Sequence, residues 1–547
     1  MQELKAAIKV AAKTLFGADI EPELSRPDEQ FGDYATNTAL QLAKQASKAP
    51  SEIARKLAVE LSSVAGIQEV TVAGPGFINF KLTDEALAQA ALGATDLPKP
   101  SQGQEILVEF GDPNPFKEMH IGHLYSYIVG DSISRLLEAE GATVRRLSYH
   151  GDVGLHVAKA IFGVGKLKSE SNQSMTADEL EKLIGVAYAH GAKLYEDDSA
   201  AKAEIEAINQ HIYQQDDSEI NKTLKAGSQL SFDYFDKILD LLSISTDKRY
   251  LESQTAAPGR EVVEGSTGRV FSQSQGAVVY EGEKAGLHTR VFITSKGLPT
   301  YETKDLGLVV LKNQDYPDSS RSIVITANEQ SEYFKVMLAA LAEVDKVLAT
   351  KTTHLAHGFL SLSSGKMSSR TGNVYPAMDL LLQVKAAVHK QYPDSPVRKE
   401  VTFGAVKYAF LKHRLGSDIV FDIKESISLE GNSGPYLQYA HARAATILHK
   451  TDTNESTKII GFDKNERSLA RKIGEYPEVV QKAISELMPH HICTYLYELA
   501  QAFNRFYETS RIIGDERENT RLQLVKAYQQ VLKNGLDILN IVAPERM

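Results

Sequence analysis

The chain has a single cysteine, Cys493, among its 547 residues, so no disulfide can form within it. Such scarcity is typical of proteins in a reducing compartment, and we expect a cytoplasmic location. No stretch of about 18 or more apolar residues is present, so no membrane span is predicted. The first residues, MQELKAAIKVAAKTLFG, are amphipathic and include Glu3, which predicts the first helix of a domain rather than a signal peptide.

The sequence contains no tryptophan. Its basic residues are also too few to balance its acidic residues, so the formal net charge is −10. An acidic total argues against nucleic-acid binding, because phosphate contacts need Lys and Arg. A local basic face can nevertheless bind RNA on a large acidic enzyme, so the net charge does not decide the partner. Without tryptophan, Tyr and Phe must provide any stacking on RNA bases.

The length predicts three or four domains, because domains usually run about 100–200 residues. Residues 1–98 predict an α+β unit, followed by the linker LPKPSQGQ. Its helical periodicity covers 4–15, 35–46 and 51–61, and VTVAGPGFINFKL then alternates like two strands around a turn. From about residue 395 the periodicity predicts only helices, so we expect an all-α bundle over 395–547.

Residues 99–394 carry the pattern of an α/β domain with a doubly wound parallel sheet. The predicted elements are a strand over 105–110, a helix over about 122–140, a strand over 143–149, and further strands over 322–326 and 353–361. The first three form a βαβ unit, whose crossover should be right-handed.

An insertion at about 165–295 separates the two halves of this predicted sheet. Residues 165–250 are polar with helical periodicity, and residues 268–294 alternate around Gly turns, which predicts antiparallel strands.

The segment PNPFKEMHIGH (113–123) places His120 and His123 around an Ile-Gly pair, between a predicted strand and a predicted helix. Ligands bind at that edge of an open α/β sheet, and a helix N-terminus suits phosphate. Two imidazoles can donate hydrogen bonds to phosphate oxygens, and Gly122 leaves room for a nucleotide to approach the backbone. Metal binding by His120 and His123 is the competing interpretation, but no second pair of ligands is evident nearby.

A second segment, SSGKMSSRTGN (363–373), predicts a loop of small residues that carries Lys366 and Arg370. Such a loop can close over a triphosphate and neutralise the leaving pyrophosphate. The alternative is a solvated surface loop with two incidental bases. The two segments fall in different halves of the predicted sheet.

HIGH followed by a KMSS-type loop resembles the signature of class I aminoacyl-tRNA synthetases. Reading outward, VEFGDPNPFKEMHIGHLYSYIVGD, YHGDVGLH, GLPTYETKDLG and GFLSLSSGKMSSRTGN resemble arginyl-tRNA synthetases in content and order. SLEGNSGPYLQYAHAR and NGLDILNIVAPERM resemble that family's helical anticodon-binding domain, and FGDYATNTALQLAK and GPGFINFKL resemble its N-terminal domain. The resemblance covers essentially the whole chain and implies a Rossmann-like catalytic domain over 99–394 between two tRNA-binding domains.

The resemblance also implies the residues that bind the substrate arginine. Asp305 would be the main partner of the guanidinium, which is planar, always charged and offers a fork of donors, and Tyr301 would bind beside it. Asp305 has the alternative role of interacting only with the dipole at a helix N-terminus. Glu109 and Asn114 would hold the α-amino group and the carboxylate, and Gln330 would contribute its amide, although it suits a helix surface equally.

For ATP, the resemblance implies His120, Gly122, His123, Lys366, Met367 and Ser368 as binding residues. The implied catalytic residues are His120, His123, Lys117, Lys366 and Arg370. Ser369 stands where the common signature has its second lysine, so either Lys117 or Arg370 would supply the missing charge, and the choice stays open. Val153 and His156 stand where the family usually carries Trp and Gln, so the side chains next to this turn differ from those usual in the family.

The implied reaction joins L-arginine to ATP and then to the 3′ end of tRNA(Arg), with Mg²⁺ accompanying ATP and no structural metal. Tyr436, Tyr439 and His441 would contact the tRNA. We expect a cytoplasmic monomer without membrane attachment.

Three other functions fit parts of the pattern. A class I synthetase for another amino acid would lack the arginine-type acids, and a non-catalytic tRNA-binding relative would not need His120, His123 and Lys366 intact. A small-molecule adenylyltransferase would leave both terminal domains unexplained.

Overall fold

The computed structural model describes residues 2–171, 177–214, 216, 218–363, 375–451, 459 and 461–547. The N-terminal elements are α1 (Gln2–Phe16), β1 (Tyr34–Thr36), α2 (Thr38–Ala46), α3 (Pro50–Leu61), β2 (Ile67–Ala73), β3 (Phe77–Leu82) and α4 (Asp84–Leu92). Strands β1 and β2 both pair with β3 in antiparallel register, and the helices bury Ile8, Leu42 and Leu57 in the same core as Phe80.

The α+β character of this part is confirmed, but the helix predicted over 35–46 begins only at Thr38. Ala35 lies opposite Asn79 in the sheet, and all of β1 is buried. Pairing with β3 therefore outweighs the local helical periodicity at these residues.

The central part of the chain alternates strands and helices. Its elements are β4 (Glu105–Glu109), α5 (Ile121–Ala139), β5 (Thr143–His150), α6 (Leu155–Ser171), α7 (Ala177–Asp197), α8 (Ser199–Gln214), α9 (Glu219–Leu242), β6 (Lys248–Leu251), α10 (Glu252–Gly265), β7 (Ser272–Ser274), β8 (Ala277–Tyr280), β9 (Arg290–Ile293), α11 (Tyr301–Asp315), β10 (Arg321–Ala327), α12 (Ser331–Val344), α13 (Lys346–Lys351), β11 (Thr352–His357), β12 (Leu360–Leu362) and α14 (Ala377–Gln391).

The predicted doubly wound sheet is confirmed, with parallel strands in the order β11-β10-β4-β5-β6. The chain passes from β4 outward to β6 and then returns to the other side of β4 with β10. The switch point between β4 and β10 is where such sheets bind ligands, and the loop that leads into α5 begins there.

One detail of the predicted insertion differs from the structure. Helices α6 to α9 and the antiparallel β7-β8-β9 sheet agree with the prediction. Strand β6, however, falls inside 165–295 and pairs with β5 in the main sheet. This range therefore does not form one separate unit.

The single strand predicted over 353–361 is wrong. The chain leaves the main sheet after β11, and β12 pairs instead with a strand at Ile419–Phe421. The backbones approach closely at this break, since a Cβ added at Gly358 would lie 2.1 Å from the carbonyl oxygen of Ser417. Only glycine accommodates that contact.

The C-terminal elements are α15 (Arg398–Leu411), β13 (Ile419–Phe421), α16 (Ile423–Ser426), α17 (Gly434–Leu448), α18 (Lys464–Ile473), α19 (Tyr476–Glu486), α20 (His490–Thr509) and α21 (Glu518–Ile538). The predicted helical bundle is confirmed, with β13 as an exception to the expectation of helices alone. Leu499, Phe503 and Phe506 form a buried stripe on α20, and Phe503 stacks on Tyr528 of α21 at 3.9 Å.

The N-terminal part is fastened to this bundle by arginine–carboxylate pairs. Arg467 of α18 binds Asp33 at 2.6 Å and Asp84 at 2.5 Å. Arg26 pairs with Glu478 of α19 at 2.7 Å. These pairs join the N-terminal part to helices α18 and α19 of the C-terminal bundle. None of the helices in the described part of the chain is long and apolar enough to cross a membrane.

Candidate active site

The HIGH residues form the N-terminus of α5, and both histidine rings cap it. Nδ1 of His120 accepts hydrogen bonds from the N–H groups of Gly122 (3.1 Å) and His123 (3.4 Å). Nδ1 of His123 in turn accepts from the N–H of His120 (3.3 Å). A neutral imidazole that accepts at Nδ1 carries its proton on Nε2, so both rings have an Nε2–H donor free of the cap.

The two rings are stacked, with centroids 3.6 Å apart, and both are neutral. Burial, with smaller effects of Lys117 and His357, lowers the pKa of His120 to about 4. Burial and the neighbouring His120 lower the pKa of His123 well below its ordinary value. A Cβ added at Gly122 would lie 2.9 Å from the His120 ring, so glycine makes room for the capping ring. Uncharged donors at a helix N-terminus suit an anionic ligand.

The loop between β4 and α5 is fastened to the end of β5 by three consecutive residues. The contacts are Tyr149 N–H to Asp112 Oδ1 (2.7 Å), His150 Nδ1–H to the Pro113 carbonyl (2.6 Å) and Gly151 N–H to Asn114 Oδ1 (2.8 Å). Further along the loop, Phe116 is buried and its N–H donates to Ser231 Oγ of α9 at 3.0 Å. These bonds fix the backbone that carries Asn114 and Lys117.

Two of the carboxylates at this sheet edge are already neutralised by buried lysines. Glu109, at the end of β4, forms an ion pair with Lys312 of α11. Glu252 pairs with Lys304 of α11 at 2.6 Å. All four side chains are less than a tenth exposed, so each pair is well shielded from water.

Two further carboxylates, Asp305 and Asp112, have no lysine or arginine partner within ion-pair distance among the described residues. Asp305 accepts a hydrogen bond from the Tyr333 hydroxyl. Burial, aided by Glu109, raises the pKa of Asp305 to about 8. Burial and Glu109 likewise raise the pKa of Asp112 well above its ordinary value. Asp305 and Asp112 therefore lack a directly paired cation, which suits a cationic ligand.

The other residues expected to bind arginine lie around this pocket. Tyr301 begins α11, one helical turn before Asp305, and its ring is largely exposed with Lys304 Nζ 5.2 Å from the centroid. Gln330 is exposed at the end of a short 3-10 helix, Asn328–Gln330, three residues before Tyr333. Glu109 and Asn114 thus lie at and after the end of β4, and Asp305 is near enough to Glu109 to be influenced by its charge, whereas Tyr301 and Gln330 are exposed.

Sequence reasoning missed Asp112 and Tyr333. Asp112 stands in GDPN, directly before the loop that leads to HIGH, and an acid between a strand and a phosphate-type loop is a usable signal. Tyr333 stands in SEYF on α12 and has no local signal, because its contact with Asp305 joins residues 28 positions apart.

The second motif lies outside the described residues, which end at Ser363 and resume at Tyr375. Lys366, Met367, Ser368, Ser369 and Arg370 are therefore not placed. On the flanks, the carbonyl of Tyr375 accepts from Ile121 N–H (3.0 Å), and Ala377 N–H donates to the Met119 carbonyl (2.8 Å). The segment after the motif is thus hydrogen-bonded to the HIGH residues.

Lys117 lies beside His120 and against α7. Its ammonium is 4.8 Å from the centroid of the Tyr188 ring, a cation–π distance. Burial, with a contribution from Lys159, lowers the pKa of Lys117. A partly desolvated lysine near two imidazole donors extends the anion-binding surface.

The three residues expected to contact tRNA differ in exposure. Tyr439 is 39% exposed, and the Arg443 guanidinium lies 4.9 Å from its ring centroid. Tyr436 is half-buried, and its hydroxyl accepts from Asn504 Nδ2 at 2.8 Å. His441 is 2% exposed and its Nδ1–H donates to the Pro544 carbonyl at 2.9 Å, so its ring is enclosed in the bundle.

Metal ligation was the alternative role for His120 and His123, and both Nδ1 atoms are instead used by the helix cap. In the described part of the chain, no group of three or more His, Cys, Asp or Glu side chains is arranged to hold a metal ion.

Three protein-family models match successive parts of the chain. Residues 84–423 match the model described as "tRNA synthetases class I (R), catalytic domain". Residues 2–82 match "Arginyl tRNA synthetase N terminal domain", and residues 437–547 match "DALR anticodon binding domain".

Similar proteins cover the chain from end to end. The arginine–tRNA ligase of Shewanella oneidensis is 32% identical over 97% of this chain and 96% of its own length. That of Parabacteroides distasonis is 26% identical over 100% and 99%. The solved arginyl-tRNA synthetase of Thermus thermophilus superposes with a TM-score of 0.85 at 27% identity and covers 100% of both chains. The Plasmodium falciparum enzyme, at 19% identity and a TM-score of 0.82, shares the fold.

The parallel sheet, the histidine pair at its switch point and the matched catalytic model together define a class I aminoacyl-tRNA synthetase. Within that class the chain belongs to the arginyl-tRNA synthetase family, as its sequence predicts.

Proposed function

We propose that the chain acts as an arginine–tRNA ligase, which activates L-arginine with ATP and transfers it to the 3′ end of tRNA(Arg). The observation that carries the proposal is the set of buried carboxylates at the sheet edge where the neutral histidine pair caps α5. Asp305 has no cationic partner among the described residues, and a guanidinium would supply one. The histidine donors at the N-terminus of α5 would receive the phosphates of ATP.

In the first step, an oxygen of the arginine carboxylate attacks the α-phosphorus of ATP. The new P–O bond forms arginyl-adenylate, and the bond to the β-phosphate breaks, so pyrophosphate leaves with the electron pair. No side chain acts as a nucleophile. Catalysis therefore comes from positioning and from stabilising the charge on the phosphates, as in other phosphoryl transfers.

The Nε2–H groups of His120 and His123 are assigned to the phosphate oxygens. Both rings stay neutral at physiological pH, so each carries one proton, on Nε2, and donates it in a hydrogen bond to a phosphate oxygen. Lys117 adds positive charge at the same place. Lys366, Met367, Ser368 and Arg370 complete the ATP site in this proposal, and whether Lys117 or Arg370 replaces the second signature lysine stays open.

On the amino-acid side, Asp305 binds the guanidinium and Tyr301 covers it from the rim. Oδ1 of Asn114 is used by Gly151, which leaves the Nδ2 donors of Asn114 for the substrate carboxylate. Gln330 stands at the rim, where its amide would reach polar atoms of the substrate. Glu109 contributes mainly by holding Lys312 in place.

In the second step, a hydroxyl of the terminal ribose of tRNA attacks the carbonyl carbon of the adenylate. An ester bond forms, the bond between the carbonyl carbon and the phosphate oxygen breaks, AMP leaves with its electron pair, and the hydroxyl proton is released. The class implies the 2′ hydroxyl. The N-terminal domain at 1–98 and the bundle at 395–547 would hold the tRNA, with Tyr436 and Tyr439 as stacking residues.

We further propose that ATP enters as its Mg²⁺ complex, because Mg²⁺ is usually held by substrate phosphates and few protein oxygens. The single cysteine favours the cytoplasm as the place of action. We expect a monomer, which light scattering of the purified protein measures.

The experiment that tests the proposal is ATP–pyrophosphate exchange with tRNA present, run with each of the standard amino acids. Exchange with arginine alone supports it. Exchange with another amino acid would identify a different synthetase, and tRNA binding without any exchange would identify a non-catalytic tRNA-binding protein.

A further inference from the structure

Three helices from different parts of the chain meet at one junction, remote from the arginine pocket. Asp131 lies in the middle of α5 and is 2% exposed, and its Oδ2 accepts a hydrogen bond from Asn540 Nδ2 at 2.7 Å. Asn540 stands just after α21 of the C-terminal bundle. The same Nδ2 donates to the carbonyls of Leu242 (3.3 Å) and Ser243 (3.1 Å), where α9 ends. The Asn540 side chain therefore contacts the middle of α5 and the end of α9 at once.

Lys407 of α15 completes this junction. Its side chain is buried, and its Nζ donates to the carbonyls of Leu242 (2.6 Å) and Asn540 (2.5 Å). These carbonyls lie at the C-terminal ends of α9 and α21, where backbone acceptors lack partners inside their own helices. Burial lowers the pKa of Lys407 to about 7, and the amine can donate to both carbonyls with two protons or with three. Lys407 thus ties the two helix ends together.

The backbone of Asn540 is left-handed, with a φ of 53°, and its N–H donates to the Asp537 carbonyl at the end of α21. Glycine is the usual residue at such a helix end, and asparagine is one of the few others that adopt this conformation readily. Glycine would end α21 equally well but would make none of the side-chain contacts with α5 and α9. The side chain of Asn540 therefore serves the junction rather than the turn.

The two helices that meet at the junction also hold the loop with the histidine pair. The His120 ring caps α5, and Asp131 lies about 15 Å further along that helix at 1.5 Å per residue. Helix α9 holds an earlier part of the same loop, because Ser231 Oγ accepts the Phe116 N–H at 3.0 Å. Ser231 lies about 16 Å before Leu242 by the same rise. The junction and the loop are thus at opposite ends of the same two helices.

A shift of α9 along α5 would move Lys117 relative to the histidine pair, because Lys117 directly follows Phe116. We propose that Asn540 and Lys407 are positioning residues for adenylate formation, which fix α9 against α5 and so keep Lys117 and the histidines in place around ATP. The inference rests on the proposed function. Both residues belong to the C-terminal part of the chain, so the phosphate site is held in shape from the side of the bundle.

The test uses Asn540→Gly, which keeps the left-handed backbone and removes the amide that contacts α5 and α9. Lys407→Met keeps the length of the side chain and removes its two hydrogen bonds. Ser132→Ala is the matched control, because Ser132 Oγ donates to the Ile538 carbonyl (3.2 Å) and so joins α5 to α21 rather than to α9. ATP–pyrophosphate exchange with arginine and saturating tRNA is measured on the full chain, at a temperature where circular dichroism shows each variant to be folded.

Asn540→Gly and Lys407→Met should each lower kcat about 10- to 100-fold, since a misplacement of about 1 Å far from the reacting atoms is enough for such a loss. The KM for arginine should stay near the wild-type value, because Asp112 and Asn114 are fastened to the end of β5 and not to α9. Ser132→Ala should change neither parameter. A role in stability alone would lower the unfolding temperature without this selective loss of kcat.

A double-mutant cycle with Ser231→Ala tests whether α9 transmits the effect. Ser231→Ala removes the acceptor of the Phe116 N–H, so it should lower kcat by itself. Adding Asn540→Gly should then cost little more, because α9 no longer holds the loop. Sites more than about 10 Å apart usually give effects that multiply to within about twofold unless the structure between them couples the two.

An unchanged kcat in Asn540→Gly, an equal loss in Ser132→Ala, or losses that simply multiply in the cycle would overturn the inference. Asn540→Gly removes only a half-buried side chain, so it gives this comparison even if Lys407→Met does not fold. A wild-type protein without exchange for any amino acid would instead contradict the proposed function itself, so the two failures are distinguishable.

Discussion

Replacing Asp305 by asparagine removes the counter-charge of the guanidinium while keeping the shape and the contact with Tyr333. Truncating one partner of a buried, hydrogen-bonded charge pair costs about 2–5 kcal/mol. At 1.4 kcal/mol per tenfold, kcat/KM for arginine should fall roughly 30- to 4,000-fold. The KM for ATP should stay near the wild-type value, because the hydrogen-bond partner of Asp305 is Tyr333 and not either histidine.

The size of this loss should depend on pH. Burial raises the pKa of Asp305 to about 8, so its carboxyl is mostly protonated in the free enzyme at neutral pH. Guanidinium binding requires the ionised form, so the affinity of the wild type rises with pH and levels off above about 8. The ionised fraction grows roughly 25-fold between pH 6.5 and 8.5, and the asparagine variant loses this dependence.

Steady-state charging at both pH values, with arginine varied and tRNA and ATP saturating, measures the effect. Asp315→Asn, a substitution on the same helix outside the pocket, is the control. Because the pKa of Asp305 is higher in the folded protein than in the unfolded chain, ionisation of its carboxyl lowers the free energy of unfolding. This loss of stability grows as the pH rises from about 4 toward 8. The asparagine variant should therefore unfold at the same or a higher temperature. A wild-type-like arginine KM, or a loss that does not change with pH, would refute the assignment of Asp305.

Three further substitutions test other parts of the site. His123→Ala should lower kcat more than it raises the KM for ATP, because its Nε2–H is assigned to charge that develops in the transition state, and a pure KM effect would contradict this. Tyr439→Ala should raise the KM for tRNA about fivefold or more, since base stacking is worth about 1–3 kcal/mol. The KM for arginine should stay unchanged. An unaltered KM for tRNA would exclude stacking of a base on Tyr439. Arg467→Met should lower the free energy of unfolding by about 1.5–3 kcal/mol, because Asp33 and Asp84 lose their shared partner and Asp33 keeps only Arg471 at 3.6 Å as a cation. Urea unfolding identical to that of the wild type would show that this contact does not join the N-terminal part to the bundle.

Local patterns were enough to predict the elements that carry the chemistry. The helix behind HIGH, the flanking strands β4 and β5 and the helical bundle all follow from periodicity over contiguous residues. The predictions fail where distant segments compete with local preference. Residues 34–36 form a strand because β3 pairs with them, and Gly358 ends β11 because the backbone at Ser417 lies against it.

In the candidate site too, local sequence patterns predict some features, whereas contacts between distant residues are not predicted. The resemblance to the family indicates Asp305 and the histidines, but no pattern reveals that Lys312 neutralises Glu109, because that ion pair joins residues 203 positions apart. The mutual capping of His120 and His123 is local, yet it depends on ring orientation, which the letters do not encode.

The most direct measurement is the charging of tRNA(Arg) by the purified full chain with ATP, Mg²⁺ and radiolabelled arginine. We expect arginyl-tRNA to accumulate only when ATP and tRNA are both present, and labelled lysine, glutamine and methionine to remain uncharged. Absence of arginyl-tRNA under these conditions, or charging with one of the other amino acids, would contradict the proposed function.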